Sequence, residues 1–234
     1  LKIIPLLETG VLDVGALPEL LSNKVKLVAV THMSNSLGTL NDVTLIIEQA
    51  HALGIPVLLD GAQSIAHMAI DVQKLDCDFF VFSGHKIYGP TGIGALYAKE
   101  NHLLNMKPYQ GGGDMILSVS FAKTEYNAIP YKFEAGTPNI EGSIGMAAAL
   151  DYISELGIEA IGDYEQELLV YATRQFSAIE GLRIIGSAPH KGSIISFVLD
   201  GVHPHDVGTI LDMEGSQCEQ VTTVPSLSWI FIIF

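Results

Sequence analysis

Residues 57–99 read VLLDGAQSIAHMAIDVQKLDCDFFVFSGHKIYGPTGIGALYAK, and this stretch decides the fold. It holds three short apolar runs. The first, with Pro56 before it, closes on Asp60; the second, Phe79-Phe80-Val81-Phe82, closes on Ser83-Gly84-His85-Lys86; the third is Gly94-Ala95-Leu96-Tyr97-Ala98. Continuous apolar runs of this length, bounded by turn residues, predict strands buried on both faces. Upstream, Leu27-Val28-Ala29-Val30-Thr31 predicts a fourth, followed by a loop from His32 to Gly38. Asn41 or Asp42 then caps a helix whose apolar positions Val43, Ile46, Ile47, Ala50 and Leu53 keep helical spacing, and Gly54 stops it. Strands alternating with helices predict an α/β protein with a mostly parallel sheet.

Downstream, helices are predicted at about 144–156, where Ala147, Ala148 and Ala149 are strong helix formers, and at about 158–179. Beyond Gly181 the texture changes to short alternating strands at Leu182–Ile185 and Ser193–Leu199. That change predicts a smaller α+β unit and a domain boundary near residue 156. No internal repeat is visible.

Composition narrows the partners. Twelve Lys+Arg stand against 26 Asp+Glu, a net charge of −14 over 234 residues. Nucleic acids and anionic membranes both require a basic footprint, so neither is an expected partner. A 48% hydrophobic content predicts a large core and excludes a disordered chain. Cys77 and Cys218 are too few for a disulfide scaffold and fit a reducing, cytoplasmic compartment. No basic-then-apolar leader is read at Leu1, and the run Trp229–Phe234 is far below the roughly 18 residues that span a bilayer. No metal site is expected. His32, His51, His67, His102, His190, His203 and His205 show no metal-ligand spacing and are read as surface or loop residues, and Cys77 as a small core hydrophobe.

The chemistry is expected at the carboxyl ends of the strands, where open α/β sheets bind ligands. Taken singly, Asp60 reads as a helix cap or turn aspartate, and Lys86 as a solvated loop lysine. Together they suggest more. A buried lysine loses its proton and attacks a carbonyl, a buried aspartate holds a heteroaromatic nitrogen protonated, and Ser and His with Gly-rich backbone amides hold a phosphate. These are the three handles of pyridoxal 5′-phosphate.

The stretch 57–99, with LVAVTHMSNSLGTLN at 27–41, GGGDMI at 111–116 and YKFEAGTPN at 131–139, resembles the class V aminotransferase family, within fold type I of the pyridoxal-phosphate enzymes. The resemblance covers nearly all of residues 1–214 and is greatest to the SufS/CsdA-type cysteine desulfurases. It implies part of a large cofactor-binding domain, an αβα sandwich, in residues 1–156 and part of the small domain in 157–214. It implies that Lys86 forms the Schiff base and shuttles the α-proton, that Asp60 pairs with the pyridine nitrogen, and that Gln63 bonds the phenolic oxygen. Ser83 and His85 would hold the phosphate, Asn35 would lie by the substrate carboxylate and the phenolic oxygen, and Thr137 would reach the phosphate of the other subunit in a homodimer. The implied reaction takes L-cysteine to L-alanine and passes a persulfide to an acceptor protein of iron–sulfur cluster assembly. Selenocysteine lyase chemistry on L-selenocysteine is the alternative within the family. A non-catalytic fragment is the alternative outside it.

Two departures qualify the resemblance. It implies a long upstream segment, with a ring-stacking histidine, that this chain lacks, and a motif near G-I-A-V-R-T-G-H-H-C-A-Q-P-L after residue 214 that carries the persulfide-forming cysteine. The chain reads GSQCEQVTTVPSLSWIF from Gly215 instead. Codons chosen for that tail, GGA TCG CAG TGC GAA CAG GTC and onward, yield G-I-A-V-R-T-G-H-H-C-A-Q-P-L-M-D-F once a single base is added after GG. Residues 215–234 are therefore read as an out-of-frame tail, and Cys218 is not the nucleophile. The truncated chain is expected to be inactive alone.

Overall fold

The computed structural model describes residues 1–224 and 227–233, with side chains through residue 219. In chain order the elements are α1 (Leu17–Leu20), β1 (Val28–Thr31), α2 (Val43–His51), β2 (Val57–Asp60), α3 (Val72–Leu75), β3 (Phe79–Ser83), β4 (Gly94–Ala98) and α4 (Glu100–Asn105). There follow β5 (Ile116–Val119), β6 (Thr124–Tyr126), α5 (Ile140–Leu156), α6 (Ile158–Ser177), β7 (Leu182–Ile185), β8 (Ile194–Leu199), α7 (Pro204–Met213), β9 (Glu219–Val224) and β10 (Leu227–Ile233).

Strands β1 to β4 form one sheet in sequence order, with β1·β2 and β2·β3 parallel and β3·β4 antiparallel. Each parallel pair needs a crossover, which α2 and α3 supply. Val57 and Leu59 of β2 are fully buried against Ile46, Ile47 and Ala50 of α2. Asp42, not Asn41, caps α2, its carboxylate accepting the Leu45 N–H at 3.1 Å. Asn41 instead donates its amide to the Thr31 carbonyl at 2.8 Å. The helix stops at His51, short of Leu53, which is exposed.

A second sheet has the order β7-β8-β10-β9, with β7 and β10 antiparallel to β8. Leu169 and Ala172 of α6 pack on Ile195 of β8. Helix α5 begins at Ile140, earlier than the predicted 144, because Asn139 accepts the Gly142 N–H at 2.9 Å and so caps it. The sequence alone does not announce α1, α3, α4, β5, β6 or α7, which lack long apolar runs, nor β9 and β10. The side chains of most of the expected out-of-frame tail lie beyond the described ones. No helix among the described residues is long and apolar enough to cross a membrane.

Four histidines depart from the surface-or-loop expectation. His32 is buried, and burial lowers its pKa; His67 is half-buried, with its Nδ1 2.7 Å from the Glu165 carboxylate. His51 and His102 converge on Asp78, just before β3, with Nε2–Oδ distances of 2.8 and 2.7 Å. Asp78 also accepts the Val57 N–H at 2.8 Å. A nearly buried carboxylate at the start of a strand requires such partners, and it recruits them from the end of α2 and from α4. Burial alone would raise the Asp78 pKa, but hydrogen bonds from His51, His102 and Val57, with the charge of Lys99, outweigh it and hold the carboxyl below its ordinary range.

A depressed folded-state pKa contributes stability above the unfolded value, and that contribution is lost as pH falls through the folded one. Denaturant stability is therefore expected to drop on acidification below the ordinary carboxylate range. Asp78→Asn is expected to cost about 1–3 kcal/mol at neutral pH, by leaving buried donors poorly matched, and to flatten the acid slope. An unchanged slope would assign the acid loss to other carboxylates.

Candidate active site

Asp60 is the last residue of β2 and pairs in register with Val81 of the neighbouring parallel strand. Beyond Val81, β3 ends at Ser83 and the chain enters a single 3-10 turn, Gly84–Ile87, that carries His85 and Lys86 and closes on Tyr88 in the left-handed region. The turn is fixed by its backbone: Gly84 N–H donates to the Ile93 carbonyl at 2.8 Å, and Gly89 N–H to that of Gly84 at 2.9 Å. A Cβ on Gly84 would lie 2.8 Å from the Ile93 side chain, so glycine is required for this close approach. Gly61 is under the same constraint, since a Cβ there would lie 1.9 Å from the Phe80 ring.

Asp60, His85 and Lys86 are exposed, Ser83 is half-buried, and Gln63 is buried at 8% exposure. Asp60 Oδ1 accepts the Ala62 N–H at 2.9 Å, the turn bond that the plain reading anticipates. The carboxylate still faces solvent at the carboxyl end of the sheet. Strand register thus brings Asp60, Gln63, Ser83, His85 and Lys86 to one end of β2 and β3.

Asn35 reaches the same end through its loop. His32 N–H donates to the Asp60 carbonyl at 2.8 Å, Leu40 N–H to that of His190 at 3.0 Å, and Ser196 Oγ to that of Ser36. The loop therefore spans both sheets, with Asn35 exposed between its anchors. Thr137 is exposed in the bend before α5. That bend is tied to the β3–β4 connection because Asn139 Nδ2 donates to the Gly92 carbonyl at 3.2 Å, and to the glycine run because Gly136 N–H donates to Gly113 at 2.9 Å.

Two residues here escape sequence reasoning. His67 lies one helical turn beyond Gln63, and its Nε2 is 3.1 Å from the Gln63 amide nitrogen. Its Nδ1 is 2.7 Å from Glu165 Oε2 on α6. The four-residue spacing to Gln63 is a signal of a kind; Glu165, 98 residues away, gives none. Gln63 Oε1 is buried with no hydrogen-bond partner, which costs about 1–3 kcal/mol in an isolated chain.

The chain matches the Aminotransferase class-V family over residues 1–223. It is 51% identical over 215 residues to a cysteine desulfurase of Synechococcus elongatus, covering 92% of this chain and 34% of that protein. It is 50% identical over 216 residues to a cysteine desulfurase of Escherichia coli O127:H6, covering 92% of this chain and 53% of that one. The crystal structure of the cysteine desulfurase CsdA from Escherichia coli superimposes with a TM-score of 0.91 at 36% identity, over 99% of this chain and 59% of that one. The chain thus spans between a third and just over half of the length of these curated relatives. With the family matched from the first residue through β9, and with its fold superimposing on a solved member, this chain belongs to the class-V aminotransferases.

Proposed function

We propose that this chain carries the lysine-bearing half of a pyridoxal 5′-phosphate-dependent cysteine desulfurase. The full-length protein, completed by the segments its relatives have, would convert L-cysteine to L-alanine and pass the sulfur as a persulfide toward iron–sulfur cluster assembly. The observation that carries this reading is the adjacency of Asp60, closing β2, and the Ser83-Gly84-His85-Lys86 turn, closing the parallel neighbour β3.

The residues present fit the cofactor. An exposed carboxylate suits a pyridinium nitrogen, a side-chain amide has the N–H that a phenolic oxygen accepts, a hydroxyl and an imidazole suit a phosphate, and an exposed amine suits an aldehyde. Pyridoxal phosphate, when bound, supplies an electron sink for the bond broken at the substrate α-carbon. With the cofactor bound, Asp60 would hold a proton at the ring nitrogen by its charge, and Lys86 Nζ would hold the cofactor and move the proton at the substrate α-carbon. Asn35 would orient the substrate carboxylate, and Ser83 and His85 would hold the phosphate.

Sulfur transfer needs a thiolate, and Cys218 is a poor source of one. Burial, and then the charge of Asp212, push its thiol pKa up. We read residues 215–234 as out of frame and assign the acceptor cysteine to the restored frame. The full-length protein is further proposed to be a cytoplasmic homodimer in which Thr137 serves the partner's phosphate, with an acceptor protein taking the persulfide.

The full-length protein, mixed with pyridoxal phosphate, is expected to show a visible absorption band and to form alanine from L-cysteine. The 234-residue chain alone is expected to form no alanine above the rate of free cofactor. Absence of the band in the full-length protein would overturn the cofactor assignment. Alanine from the short chain would overturn the reading of Cys218 and its tail.

A further inference from the structure

The contact between Gln63 and His67 fixes more than position. Glu165 carboxylate oxygens only accept hydrogen bonds, so the His67 Nδ1 that lies 2.7 Å from Glu165 carries a hydrogen. The Gln63 amide nitrogen only donates, so the His67 Nε2 that lies 3.1 Å from it is the bare, accepting nitrogen. The ring is therefore neutral and its tautomer is set by Glu165. A consequence is that Gln63 turns its carbonyl oxygen away from His67, buried and without a partner. In this state Gln63 holds a buried acceptor without a donor, whereas a phenolate oxygen needs a donor from it.

A second arrangement of the same atoms removes the mismatch. If His67 gains a proton at Nε2, that N–H donates to Gln63 Oε1, the amide rotates by half a turn, and its NH2 group faces the site. Glu165 then balances the positive ring. Among the described residues Lys191 lines, with His67 and Glu165, a cavity of about 150 Å3. Lys191 is turned to its own loop, donating to the Gly186 carbonyl at 3.1 Å.

We propose that His67, clamped by Glu165, is a positioning residue that sets which face of the Gln63 amide the site presents, and that binding of a phenolate-bearing ligand takes up one proton from solvent onto His67. This rests on the cofactor reading above and goes beyond it, since it names two residues that do not touch the cofactor and a proton that the binding step must carry.

The test uses the full-length protein with 15N-labelled histidine and pyridoxal phosphate as the probe. His67 is assigned by the resonances lost in His67→Asn. Without cofactor, the imidazole nitrogens are expected to show the neutral Nδ1–H pattern; with saturating cofactor at the same pH, both nitrogens are expected to show the protonated pattern. A neutral pattern in both states would overturn the proposal. Glu165→Gln keeps the shape and removes the balancing charge, so the dissociation constant is expected to rise about tenfold, the equivalent of one charge-assisted hydrogen bond, and the visible band to shift in its pH response. An unshifted band and constant in that variant would reduce the pair to a structural contact and overturn the proposal as well. A full-length protein with no visible band at all overturns the cofactor reading and this inference together. A normal band with an unchanged His67 pattern overturns this inference alone.

Discussion

Lys86→Ala in the full-length protein abolishes the borohydride-reducible adduct with pyridoxal phosphate and lowers alanine formation by about 10²–10⁴-fold or more, the range contributed by a positioned proton-transfer group. The expectation follows from placement. Lys86 is the lysine carried by the turn that continues β3, beside the end of β2 where Asp60 sits, and its amine is exposed. Lys191 is the instructive control. Burial lowers its pKa, which by itself resembles an activated amine, but it lies in another loop and donates to a backbone carbonyl. Lys191→Ala is expected to retain the adduct. Mass spectrometry of the reduced, digested protein decides, and a label on any peptide other than the one carrying Lys86 would sink the assignment.

Asp60→Asn is expected to keep the adduct and lose about a hundredfold or more in turnover, comparable with removal of one preorganised electrostatic group from an active site. The substitution is clean because the local fold survives it. The hydrogen bond that the Asp60 carboxylate accepts from the Ala62 N–H is equally available to an asparagine oxygen. What disappears is the charge that keeps the ring nitrogen protonated. Thermal unfolding close to that of the parent protein, together with lost turnover, places the effect in the chemistry; near-normal turnover would leave Asp60 a turn residue.

The sheet was legible because each strand is a continuous apolar run cut off by a polar residue, and those polar residues are the ones that β2 and β3 bring to one end. Register does the rest, since parallel neighbours end together. The local sequence offers Asn41 and Asp42 equally as the cap of α2, and the end of β1 decides between them by occupying Asn41. The histidines were misread for a related reason. His51, His67 and His102 have carboxylate partners on other elements, and no local pattern announces a bond across 27, 98 or 24 residues. The exposure of Asp60 and Lys86 was equally hidden, because a run of valine and leucine gives the depth of a strand but not of its last residue.

The loop that carries Asn35 is fastened at both ends to different bodies: to the first sheet through His32 and Asp60, and to the second through Ser36, Leu40 and their partners Ser196 and His190. Gly38, at φ +70°, accepts the Gly192 N–H at 2.8 Å, and a Cβ there would lie 3.0 Å from the Gly192 carbonyl, which leaves little slack between the fastenings. Mechanically this is a strap between two plates. Any rocking of the second sheet against the first pulls on residues 32–40, so the position of Asn35 reports the angle between the plates.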